Sequence, residues 1–159
     1  MKTRLLPILV LCACFVLTSC TGRHVYQKYI KIPDYIWDYR EPVSFNFYIS
    51  DNKAVYNTYL NLRIASIYPY SNIWISLKKN GENGKIIYTK RFEFTLADEK
   101  GEWTGKGLGD IIDNQFIIEK QIQFEESGEY TYTFSHDMRI DFLPAVMDIG
   151  LVVEKIKVD

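Results

Sequence analysis

Cysteine is scarce, and where it stands matters more than how often. The chain has 3 cysteines in 159 residues, Cys12, Cys14 and Cys20. All lie at its start, so the remainder has no thiol for a disulfide framework or a cysteine-ligated zinc site. A cationic excess is also missing. Lys+Arg 19 against Asp+Glu 20 gives a formal net charge of −1. A nucleic-acid binder needs a basic stripe to displace counterions from phosphates, so that partner class is excluded. Histidine is reduced to 2 residues, His24 and His136. No Gly-x-Ser-x-Gly elbow is present, and Ser135, His136 and Asp137 are consecutive. Neighbours on a strand point to opposite faces, so these three cannot relay a proton among themselves. No catalytic residue is therefore assigned, and the chain is not expected to be an enzyme. The segment containing Gly105, Gly107 and Gly109 lacks the strand-loop-helix context of a phosphate loop. Asp98, Glu99, Glu102, Asp110 and Asp113 lack calcium-loop spacing, and Lys100 and Lys106 dilute their charge. No metal or cofactor is expected. An apolar run long enough to cross a bilayer, about 20 residues, is missing too.

What is present begins with an address. Lys2 and Arg4 precede Leu5–Leu17, an apolar run interrupted only by Pro7, as in a secretory signal peptide. Leu17-Thr18-Ser19-Cys20 follows. It resembles the lipobox of bacterial lipoproteins, whose cysteine becomes the lipidated N-terminus. The expected organisation is a signal peptide over 1–19, a lipidated Cys20 with a short tether over 20–24, and one domain over 25–159. Cleavage would leave 140 of the 159 residues, with 17 basic and 20 acidic side chains. Each buried methylene contributes about 0.8 kcal/mol, and a lipoprotein carries more than one acyl chain, so attachment is effectively permanent. Inner-membrane retention in bacterial lipoproteins often uses Asp after the cysteine, and surface export in the Bacteroidetes uses an acidic cluster there. Thr21-Gly22-Arg23-His24-Val25 offers neither, which points to the outer membrane and its periplasmic side.

The rest of the chain alternates. Val43, Phe45, Phe47 and Ile49 share one parity, as do Leu60, Leu62 and Ile64, and Ile73, Ile75 and Leu77. Tyr130, Tyr132 and Phe134 repeat the pattern, and Ile149, Leu151 and Val153 carry it to the end. Phe116, Ile118, Ile122 and Phe124 are placed inward, with Glu119, Gln121 and Gln123 outward. A period of two puts each apolar set on one face of a half-buried strand. Asn80-Gly81-Glu82-Asn83-Gly84 reads as a hairpin connection. Residues 137–146 could form a helical turn stopped at Pro144. Roughly seven to nine short strands predict a single-domain, all-β antiparallel sandwich, jelly-roll or immunoglobulin-like.

Aromatic residues are abundant: Tyr 12, Phe 9 and Trp 3. Tyr26, Tyr29, Tyr35, Trp37 and Tyr39 cluster early, and Tyr56, Tyr59, Tyr68 and Tyr70 follow. Tyr and Trp combine an apolar ring with a polar tip, which suits protein interfaces and sugar stacking. Ordinary half-buried strand aromatics are the competing account. The candidate binding residues are Tyr68, Tyr70, Trp74 and Trp103. Trp103 could equally plug the end of the sandwich. Arg139 and Asp141 share strand parity and are expected on one face, tying the C-terminal segment to a neighbouring loop.

Several blocks together resemble one family. They are the lipobox, the Phe-rich strand ending at Asp51, Tyr59 with Leu62-Arg63, and Tyr68-Pro69-Tyr70-Ser71-Asn72-Ile73-Trp74. Leu96-Ala97-Asp98, Gly101-x-Trp103-x-Gly105-x-Gly107 and Met138-Arg139-x-Asp141-x-Leu143-Pro144-x-Val146-x-Asp148-Ile149-Gly150-Leu151 complete the set. The chain is similar over nearly its whole mature length to the gliding motility-associated lipoprotein GldH family of the Bacteroidetes. The resemblance implies a role in surface gliding linked to type IX secretion, partners among envelope proteins, and no catalytic residue, cofactor or small ligand. A glycan-binding envelope lipoprotein is the alternative.

Overall fold

A computed structural model describes residues 24–157. The expected signal peptide and Cys20 fall outside the described residues. Eleven strands form two facing antiparallel sheets and a small ribbon. The first sheet has the order β1-β11-β4-β8-β7, using His24–Lys31, Val146–Ile156, Val55–Ala65, Ile111–Ile122 and Lys106–Leu108. The second has the order β3-β9-β5-β6, using Val43–Ile49, Gly128–His136, Asn72–Asn80 and Ile86–Thr95. The ribbon pairs β2 (Ile36–Asp38) with β10 (Phe142–Pro144).

The alternating pattern explains the sandwich. In β3 every second residue is buried, and β5 and β9 continue the row with Ile73, Ile75, Leu77, Tyr130, Tyr132 and Phe134. Leu60, Leu62, Ile149, Leu151 and Val153 supply the opposing face. Each such side chain contributes about 1.5–3 kcal/mol when fully buried. The hairpin between β5 and β6 forms where the turn residues stand, with Asn83 and Gly84 at φ 60° and 73°.

Strand direction defines two poles. His24 pairs with Glu154 at one end of β1 and Lys31 with Asp148 at the other. The first end, the terminal pole, also holds the 49–55 and 122–128 loops, joined by Ser127 Oγ to the Ser50 carbonyl and by Asn52 to the Glu125 carbonyl. The distal pole gathers the loops around 31–43, 65–72, 95–111 and 136–146. There the Ala65 N–H donates to the Ala145 carbonyl, and Trp37 meets His136 edge to face at 5.4 Å.

Four details differ from the sequence expectation. His24, assigned to the tether, opens β1. Residues 137–146 form a bend followed by β10 rather than a helical turn, because Leu143 is needed under the ribbon and Pro144 cannot donate within a helix. Arg139 and Asp141 consequently lie in the bend, not on a strand. Glu119 turns inward rather than outward. Thr58 faces Glu119 while Tyr59 faces Ile117, which makes Ile118 an extra residue. A second irregularity separates Glu119 from Ile122, with Gln121 at φ 54°. The first bulge reverses side-chain parity at Glu119 and the second restores it by Ile122.

Candidate functional site

The distal pole is assembled from the blocks singled out in the sequence. Tyr68 is buried and donates its hydroxyl to the Asn72 carbonyl, while its ring meets Tyr70 at 5.8 Å. Burial raises the Tyr68 phenol above its ordinary pKa. The Ser71 carbonyl accepts the N–H groups of Leu96 and Ala97, at 2.7 and 3.0 Å. Leu96 in turn accepts from Thr104 N–H at 2.8 Å, which joins the Gly101–Gly107 block. Gly105 is required there, since a Cβ would lie 2.5 Å from Asn114 Oδ1. On the other side, Asp137 N–H donates to the Trp74 carbonyl at 2.8 Å, and Trp74 N–H to Met138 Sδ at 3.3 Å. Blocks far apart in sequence are thus hydrogen-bonded into one unit.

On the outer face of the second sheet this unit forms a cleft of about 390 Å³, lined by Tyr70, Trp74, Arg91, Asp137, Met138, Arg139 and Ile140. Trp74 sits there because β5 sends Ile73 and Ile75 into the core. The Arg91 guanidinium lies 4.3 Å from the Trp74 ring centroid and is held by Asp137, Nε to Oδ2 at 2.5 Å. Stacking of a cation on an indole fixes both groups. The result is an apolar floor with a charged rim. Arg139 lines the cleft without an ion-pair partner among the described residues.

The four candidate binding residues therefore separate. Tyr70 and Trp74 line the cleft, Tyr68 supports it from beneath, and Trp103 is half-buried against the core, bridged to Ala97. Tyr35, Ile36, Tyr39, Ile67, Leu108 and Phe142 are further apolar side chains exposed at this pole. The acidic loop residues are spent on separate tasks. Asp98 accepts from the Lys100 and Glu102 N–H groups, Asp110 from Ser66, and Asp113 pairs with Arg63.

Two buried polar features lie apart from the cleft, and of their residues the sequence singled out only His136. Glu119 and Lys79 meet inside the sandwich, 2.8 Å apart. Lys79 could have been found, because it shares parity with Ile73, Ile75 and Leu77. His136 is 3% exposed, and neither ring nitrogen makes a hydrogen bond of ordinary length and angle within the protein. Burial lowers its pKa below the ordinary histidine value, against a weaker opposing pull from the Trp37 and Asp141 carbonyls.

The family model described as GldH lipoprotein matches residues 24–153. The chain belongs to the GldH lipoprotein family. It is 29% identical over 145 residues to the gliding motility lipoprotein GldH homolog of Christiangramia forsetii, covering 87% of this chain and 88% of the relative. It is 24% identical over 156 residues to the gliding motility lipoprotein GldH of Flavobacterium johnsoniae, covering 92% and 94%. The match spans the whole sandwich apart from the end of β11, and membership makes this a lipid-anchored envelope protein.

Proposed function

We propose that this protein is a non-enzymatic component of the gliding and type IX secretion apparatus, anchored to the outer membrane through Cys20 and facing the periplasm. Its role is to contact another envelope protein through the Trp74 cleft. The observation that carries this reading is the convergence of Tyr68–Trp74 and Asp137–Ile140 on a cleft with a stacked Trp74–Arg91 pair. Trp, Tyr and Arg dominate the energetics of protein interfaces. A glycan platform combining Trp74 with Trp103 is not favoured, because Trp103 does not line the cleft.

Two measurements test the proposal. Cys20→Ser should move the protein from the membrane fraction to the soluble fraction. Crosslinking in native membranes should capture a reproducible partner, with yield falling about tenfold for Trp74→Ala. A monomeric protein without a partner, or retardation by polysaccharide that Trp74→Ala abolishes, would overturn it.

A further inference from the structure

The β2–β10 ribbon has two apolar faces. Its middle pair, Trp37 and Leu143, is 1% and 0% exposed and caps the core. The flanking pairs, Ile36 with Pro144 and Asp38 with Phe142, point the other way. A ribbon facing only water would carry polar side chains there. Instead Ile36 and Phe142 are 45% and 54% exposed, beside Tyr35 and Tyr39 at 51% and 47%. The Arg40 guanidinium lies 5.3 Å from the Phe142 ring centroid and 5.7 Å from that of Tyr39. It is fixed by Asp38 at 2.7 Å.

The surface is held in place and stores strain. Tyr39 N–H donates to the Asp141 carbonyl at 3.1 Å, and the Trp37 indole to the Glu41 carbonyl at 3.2 Å. Asp34, Tyr35 and Ala145 have φ of 51°, 58° and 63°. Non-glycine residues rarely adopt that left-handed region, because the Cβ crowds the following carbonyl there. The strain at Tyr35 secures no core burial, since its ring faces outward.

The geometry also selects an occupant. A domain standing upright on its tether holds this pole away from the anchoring bilayer. Four residues from Cys20 to His24 extend at most about 14 Å. The 8 residues of β1 alone separate the poles by about 25 Å. A second copy is disfavoured by charge. Asp34, Glu41 and Asp141 are exposed and have no ion-pair partner among the described residues, against Lys31 as the one unpaired cation beside Ile36 and Glu41, while Arg40 is engaged by Asp38. A two-fold contact would bring these carboxylates toward their own copies.

We propose that the outer face of the β2–β10 ribbon docks a partner protein through an apolar groove bordered by lysines or arginines. Such docking rests on the anchored, partner-binding role proposed above. The test uses the full lipidated chain in native membranes, with benzoylphenylalanine replacing Tyr39. Matching reporters replace Tyr70 in the cleft and Tyr48, which is exposed near the terminal pole. Irradiation should give a Tyr39 adduct that maps to an apolar groove flanked by cations in a second protein, and none from Tyr48. Asp141→Lys and Phe142→Ser should each lower its yield about tenfold. Phe142→Ser should shift thermal unfolding by no more than about 2 °C. Tyr35→Ser serves as the second variant. An adduct only to lipid or to another copy of this chain, or one indifferent to both Phe142→Ser and Tyr35→Ser, would overturn the ribbon site. A partner adduct from Tyr70 but not Tyr39 would overturn it while retaining the cleft. Adducts from neither would overturn both.

Discussion

The Lys79 ammonium lies 2.8 Å from a Glu119 carboxylate oxygen, with the two side chains 7% and 10% exposed. Every lone-pair direction of the carboxylate is used. One oxygen accepts from Lys79 and from Tyr88 at 2.6 Å, the other from Thr58 at 3.0 Å and from Tyr132. The rings of Phe124 and Tyr132, at 4.6 and 5.3 Å from the ammonium, close the cage. Such a pair pays off only when complete, because each charge alone is stranded in apolar surroundings.

Removing one partner should therefore cost more than removing both. Lys79→Met is expected to lose about 3–5 kcal/mol. Adding Glu119→Leu should recover much of that. Urea unfolding of the two singles and the double measures the coupling, and strictly additive costs would contradict it.

The same pair makes an acid limb in the stability profile. Burial pushes the Glu119 carboxyl up, but the Lys79 charge and the hydrogen bonds from Lys79, Tyr132 and Tyr88 outweigh it, so its pKa is lowered. The unfolded chain then binds the proton more readily than the native one. Stability is fully present above the ordinary value of 4.5 and is lost as pH falls through the lower native value. Glu119→Gln should flatten this limb in unfolding curves taken between about pH 6 and 3.

His136 sets a second limb at milder pH. Its native pKa is lowered from 6.5, so the unfolded state again takes up the proton first. Its contribution is present above the unfolded value and is lost as pH falls through the native one, at up to about 1.4 kcal/mol per pH unit. His136→Phe should remove this slope between about pH 7 and 5. An unchanged slope would mean that the imidazole accepts a proton without penalty.

Gly150 stands directly opposite Tyr29 across β1 and β11. A Cβ there would lie 2.5 Å from the Tyr29 ring. That ring cannot swing away freely, since its hydroxyl accepts from Asn61 and Gln27 at 3.0 and 3.1 Å. Gly150→Ala is expected to cost about 1–3 kcal/mol. The penalty should shrink in the Tyr29→Ala background, as chemical denaturation of both backgrounds would reveal.

Much of the sandwich was legible because burial on a strand follows parity. Val43 to Ile49 and Ile73 to Leu77 needed no structure to be placed inward. Glu119 was misplaced because one inserted residue reverses parity, and nothing in Ile117-Ile118-Glu119 marks the bulge. Tyr70 and Trp74 were singled out through residue type, yet Arg91, which stacks on Trp74, lies on the neighbouring strand and looked like an ordinary outward charge.

By itself, the sequence determined the all-β pattern and the family. Each depends on residues close together in the chain or on types in fixed order. Tertiary structure alone decided which aromatic residues share a surface, that Glu119 meets Lys79, and that the exposed ribbon lies at the pole away from His24. Those relations depend on strand order, register and bulges, which join residues dozens of positions apart through contacts that local periodicity does not encode.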